Sequence, residues 1–150
     1  MPYMIDGETR LTDTLAIMVY ICHKFAPELL GETSEDYGKA LLAYYHLKEV
    51  KSAITGPCYV GANPEQLTVI CKAKMQPIVA FLGKKDFFMG ENITFLDFIL
   101  LEMIDFVQFL TNDEFCAENK SMARYLKRMK GKAKIKKFIA SERYLHKPFN

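Results

Sequence analysis

The chain has 150 residues, half of them hydrophobic, with 11 Phe and 8 Tyr, which is enough to build a core and argues against a disordered chain. Its net charge of +2 at pH 7 selects no partner, and its length bounds it to one domain or one domain plus a fragment. Four dispersed cysteines (Cys22, Cys58, Cys71, Cys116) form no CxxC pair, His23, His46 and His146 share no metal spacing, and no apolar run is long enough to span a bilayer. With no stretch that reads as a signal peptide, these features argue for free thiols in a reducing, cytoplasmic setting.

In chain order, residues 2–6 and 9–12 read as a β-hairpin around Asp6-Gly7. Thr12-Asp13-Thr14 supplies N-cap chemistry for a helix from about Leu15 to Phe25, ended by Pro27, with Leu15, Met18, Val19 and Cys22 at helical spacing. A second helix starts at Thr33 or Ser34, with acids in its first turn, and runs to about Tyr59 or Val60; Gly56-Pro57 should kink or stop it. Asn63-Pro64-Glu65 opens a third helix, with Pro in the first turn and Leu67, Val69, Ile70, Met75, Ile78, Val79, Phe81 and Leu82 as its apolar positions; it stops at Gly83, and Pro77 predicts a bend.

Thr94 and Asp97 have the spacing of a capping box, flanked by Ile93 and Phe98 at the positions of a hydrophobic staple. The helix they open runs to about Leu110 and is apolar nearly all round, so it belongs in the middle of a bundle. Shorter helices are expected at about 116–130 and 132–140, giving a bundle of about five helices behind the hairpin and first helix. Between Lys120 and Lys137 lie nine Lys or Arg and no Asp or Glu, leaving the rest of the chain at −7. Met122, Tyr125, Leu126, Met129, Ile135 and Phe138 interleave with them as a core stripe, so the stretch reads first as a solvated helix face; contact with RNA, phosphate or an acidic protein is the weaker alternative, and nucleic acid is not the expected partner.

Five segments carry a family resemblance. Residues 1–7 and then Thr12-Asp13-Thr14 and Ala16-Ile17-Met18-Val19-Tyr20 resemble L-P-Y-x-I-D-G, T-Q-S and A-I-x-x-Y of the mu-class glutathione transferases. Residues 81–91 resemble F-L-G-K-x-x-W-F-x-G-D, and Ile93-Thr94-Phe95-Leu96-Asp97-Phe98 resembles V-T-Y-V-D-F. Leu126-Lys127-Arg128 with Gly131, and Lys134-Ile135 with Ser141-Glu142-Arg143-Tyr144-Leu145, resemble L-x-R-x-x-G and K-I followed by S-S-R-Y-L.

The resemblance implies a mainly α fold: the glutathione transferase C-terminal helical bundle over residues 31–150, preceded over residues 1–30 by a hairpin and helix remnant of the thioredoxin-like, glutathione-binding domain. Asp13 and Thr14 fall on the family's Gln-Ser pair, where a helix N-terminus and a hydroxyl bind the γ-glutamyl carboxylate of glutathione. An acid at the first of these positions binds the γ-glutamyl amine in other classes. Glu49 falls on the acidic residue that reaches the neighbouring subunit's glutathione, and Tyr59 on the tyrosine lining the electrophile pocket. Read from the residues alone, Asp13 is a plain N-cap, Glu49 an exposed helix carboxylate and Tyr59 a half-buried core aromatic. Pro2 falls on the family's cis-proline.

The tyrosine that activates the glutathione thiolate, and the tryptophan, arginine and lysine that hold the glycyl carboxylate, have no counterpart, which implies a missing first half of the domain. The expectation is a glutathione transferase-like protein, the family reaction being conjugation of glutathione to electrophiles, that is not catalytic as this isolated chain. The alternative is a non-catalytic interaction subunit of a larger assembly. The expected partners are another protein chain against residues 1–12, where the sheet edge would be open, or a second copy in a glutathione transferase-like dimer.

Overall fold

The computed structural model describes residues 2–144. Met1, whose peptide bond to Pro2 the resemblance singles out, and the tail with Leu145, His146 and Pro148 lie outside the described residues.

Strands β1 (Tyr3–Asp6) and β2 (Thr9–Thr12) pair antiparallel across the Asp6-Gly7 turn, with Tyr3 opposite Thr12 and Ile5 opposite Arg10. Alternation puts Met4, Asp6, Thr9 and Leu11 on the inner face and Tyr3, Ile5, Arg10 and Thr12 outward. Helix α1 (Thr14–Phe25) packs beside β2 and turns Leu15, Met18, Val19 and Cys22 to the core. Asp6 accepts from the Tyr20 hydroxyl at 3.1 Å and pairs with Lys24, which ties the end of β1 to α1. Lys24 first and Tyr20 second hold the Asp6 carboxyl below its ordinary value.

A 3-10 turn over Pro27–Leu30 leads to Gly31 and then to α2 (Ser34–Tyr59). Thr33 and Asp36 close a reciprocal capping box at the start of α2: the Asp36 N–H donates to the Thr33 hydroxyl at 3.1 Å and the Thr33 N–H to the Asp36 carboxylate at 3.1 Å. The helix passes through Pro57 rather than stopping there. Gly56 explains this, because a residue without Cβ avoids the clash that normally bars helical backbone before proline. Asn63 and Gln66 make a second capping box at the start of α3 (Pro64–Leu82).

Helix α4 (Phe95–Leu110) is the centre of the bundle, packed against α2, α3 and the next two helices. Leu96, Leu100, Met103, Ile104 and Val107 are all buried along it. Then come α5 (Glu114–Glu118), α6 (Lys120–Gly131) and α7 (Ala133–Ile139). The single helix expected over 116–130 is thus two. Asn119 divides them: its backbone leaves the helical region at φ −115°, ψ 83°, and both its N–H, at 3.0 Å, and its side-chain amide, at 2.8 Å, donate to the Phe115 carbonyl, closing α5. The bundle behind α1 consequently has six helices, α2 to α7, where about five were expected.

Several expected core positions are at the surface. Val69, Phe81, Phe98 and Phe138 are exposed, and the α6–α7 stripe ends at Ile135. Met122, Tyr125 and Met129 of that stripe are buried as expected.

Candidate functional site at the start of helix α1

Asp13 is the N-cap of α1, and its carboxylate accepts the N–H groups of Leu15 at 2.8 Å and Ala16 at 3.3 Å. The cap bond was expected; the backbone was not. Asp13 sits at φ 75°, ψ 136°, a region that residues with a Cβ rarely adopt. Such a conformation costs of order 1–3 kcal/mol and is held only where surrounding structure enforces it.

Thr14 follows as the first helical residue, exposed, with no side-chain hydrogen bond among the described residues. Its N–H is one of those a helix start leaves without an intrahelical acceptor. The corner therefore offers two opposite chemistries side by side: a carboxylate able to accept from an ammonium, and a hydroxyl and amide at a helix N-terminus able to donate to an anion.

Tyr44 of α2 is a neighbour that sequence reasoning missed. Burial, and next the negative charge of Asp13, push its phenol above the ordinary value, so it stays protonated at neutral pH. Its ring is buried and meets Tyr45 edge-on at 5.5 Å. The available signal was the stripe Ala40, Tyr44, Leu47, which places a polar hydroxyl on the buried face of α2.

The other two candidates do not join this corner among the described residues. Glu49 is an exposed carboxylate on α2, 3.9 Å from His46. Tyr59 is 85% exposed at the C-terminal end of α2, beside an equally exposed Val60, which corrects the half-buried core aromatic expected there. Ten helical residues put Glu49 and Tyr59 about 15 Å apart along the axis.

No group of His, Cys, Asp and Glu fit to hold a metal exists among the described residues. The four cysteines are free. Burial pushes the Cys71 and Cys116 thiols up to about 11, so neither is a nucleophile at neutral pH. Among the described residues, no helix is long and apolar enough to cross a membrane.

Comparison with known proteins fixes the family. The family model described as "Glutathione S-transferase, C-terminal domain" matches residues 66–142. Human glutathione S-transferase Mu 4 is 30% identical over 153 residues, an alignment covering 99% of this chain and 68% of the human protein. The chain belongs to the glutathione S-transferase family. Rat glutathione S-transferase Mu 1 is similar at 31% identity with the same coverage. Among solved structures, the Pi-class glutathione S-transferase of Onchocerca volvulus superposes with a TM-score of 0.81 over 92% of this chain and 68% of that one, at 18% identity. The fold is accordingly that of glutathione transferases, a two-stranded hairpin followed by helices. The motif resemblance and the whole-chain alignment agree on mu-like relatives.

Proposed function

We propose that the Asp13–Thr14 corner receives the γ-glutamyl end of glutathione, and that residues 2–144 hold this tripeptide without activating its thiol. The observation that carries the reading is the strained Asp13 backbone at an exposed helix start. Strain at an exposed cap gains nothing for the core, and it sets the carboxylate of Asp13 and the hydroxyl of Thr14 at one corner. A γ-glutamyl group ends in an amino-acid zwitterion, whose ammonium suits Asp13 and whose carboxylate suits Thr14 and the α1 N-terminus. Thiol activation needs a cation or a donor at the sulfur. Tyr44, the phenol raised by the Asp13 charge, is buried and so presents no donor at the exposed corner, and Lys24 is held by Asp6. Glu49 and Tyr59 are proposed as contributors to a neighbouring subunit's site and to the electrophile side, respectively, consistent with their exposure.

The second reading, an interaction subunit, is favoured by two exposed apolar faces. Tyr3 and Ile5 point outward from β1, and Leu42 and Tyr45 form a stripe with Glu49 on α2. The first would take another chain against residues 1–12, the second a like subunit in a dimer. Both readings belong to a chain of two parts, residues 1–30 and 31–150, in a reducing, cytoplasmic setting consistent with the free cysteines.

Calorimetric titration with glutathione, beside a conjugation assay with an aryl halide, separates these claims. The expected result is measurable binding that Asp13→Ala weakens by about tenfold, the loss of one charge-assisted hydrogen bond, together with no conjugation above the uncatalysed rate. Binding unaffected by Asp13→Ala would sink the site. Robust conjugation by the isolated chain would overturn the non-catalytic reading.

A further inference from the structure

Helices α6 and α7 carry the nine Lys and Arg of residues 120–137, and the described ion pairs divide them unevenly. Arg128 is fixed by Asp86, donating to its carbonyl at 2.6 Å and its carboxylate at 2.7 Å, and Lys130 pairs with Asp105 at 2.6 Å. The other seven have no ion pair among the described residues, whereas on α3 a single lysine, Lys72, gathers both Glu114 and Glu118. Arg124, Lys127, Arg128, Gly131 and Lys132 line an open depression of about 520 Å³. Two of its cations have fixed partners: Arg128 is held twice by Asp86, and Lys132 lies over the Phe87 ring, 4.7 Å from its centroid.

From this geometry we infer that the α6–α7 depression is a binding surface for a nucleic acid, held through the phosphates of one strand. Unneutralised cations focused in a depression raise the local concentration of a polyanion, and phosphate contacts need no apolar anchor. A protein partner draws its affinity from buried apolar and aromatic anchors. Here the apolar residues of α6, Met122, Tyr125 and Met129, are turned into the core, and the exposed Phe138 of α7 stacks edge-on with Tyr144 and does not line the depression. The same burial argues against a bilayer, which an amphipathic basic helix enters by its apolar face. The charge also outruns the depression, with Lys120 exposed at one end and Lys134, Lys136 and Lys137 exposed at the other. A ligand that follows it is extended rather than a small enclosed anion. The sequence favoured a solvated face over contact with RNA because of the apolar stripe; the ion pairing and the depression reverse that order.

The test is fluorescence anisotropy of a labelled uridine oligonucleotide of about 16 nucleotides titrated with the full chain, between about 50 and about 200 mM salt. The expected result is binding that weakens with salt, with Arg124→Glu/Lys127→Glu weakening it by about tenfold or more and Lys74→Glu/Lys84→Glu, the same change of charge on α3 and the loop after it, by less than about threefold. Circular dichroism of both variants confirms that these exposed substitutions leave the fold intact. No binding by the wild-type chain at about 50 mM salt, or equal losses in the two variants, overturns the binding surface. Competition by polyglutamate of matched charge as effective as by unlabelled oligonucleotide also overturns it, in favour of an acidic peptide.

Discussion

Asp97 shows how one buried carboxylate fixes the centre of the fold. It is fully buried, and its oxygens accept from the Phe88 N–H at 2.7 Å, the Thr94 N–H at 2.7 Å, the Thr94 hydroxyl at 3.2 Å and the Tyr125 hydroxyl at 2.7 Å. The start of α4, the preceding loop and α6 thus meet at one side chain. Burial, and then the Asp97 charge, raise the Tyr125 phenol far above its ordinary value, so it stays protonated and donates to Asp97. Removing the phenol hydroxyl and removing the acceptor are then unequal. Tyr125→Phe takes away one of several donors and should cost about 1–3 kcal/mol. Asp97→Ala leaves two buried backbone amides without their acceptor and the phenol with only the residue-97 carbonyl, 3.2 Å away, and should cost more than about 3 kcal/mol. Urea unfolding of the two variants decides it, and equal losses would show that the shared acceptor is not the hub. The Thr94–Asp97 box was legible in the sequence because its spacing is local. The Phe88 and Tyr125 bonds were not, since their sequence separations of 9 and 28 residues leave no periodic trace.

At the scale of elements, the starts of helices were read better than their faces. Thr33, Asn63 and Thr94 announce α2, α3 and α4 through side chains that bond within three residues, so a short window contains the whole cause. Which side of a helix is covered depends on distant chain. Val69 and Phe81 lie in an apolar pattern on α3 yet face outward, and Tyr59 sits past the last turn of α2 that the bundle covers. The Asp13 corner divides the same way: its cap bond was legible, but its φ of 75° and its neighbour Tyr44 depend on tertiary contacts. Two glycines by α2 test the local logic with opposite signs. Gly31 sits at φ 102°, and a Cβ there would lie 2.7 Å from that of Asp36, the residue closing the α2 capping box. Gly31→Ala should therefore destabilise by about 1–3 kcal/mol. Gly38, inside α2, has open space where an alanine methyl would sit, with nothing within 4 Å, so Gly38→Ala should stabilise by about 0.5–1 kcal/mol. Thermal melts read both shifts; a stabilising Gly31→Ala would show that the turn relaxes and does not set the cap.

For the whole molecule, the question is how firmly residues 2–30 belong to the bundle. The hairpin packs mainly on itself and on α1, and α1 reaches the bundle through Leu15, Met18, Val19, Cys22 and the 3-10 turn at Pro27–Leu30. Of the residues of α1, Cys22 alone is buried, whereas α4 buries eight. A two-stranded sheet with one covered face is marginal by itself. The proposed division at residue 30 then has an energetic counterpart: the hairpin and α1 open at lower free energy than α4 and α6, as a separate cooperative unit. Native-state hydrogen exchange measures this directly. The amides of β1, β2 and α1 should exchange by sub-global opening about 2 kcal/mol or more below the global limit, and those of α4 should define that limit. Glutathione at the Asp13–Thr14 corner would slow exchange in α1 selectively, because it binds the closed form of that unit only. Uniform protection across α1 and α4 in the free chain would mean that one cooperative structure spans residues 2–144, and would remove both the division and the open face of β1 as a distinct docking element.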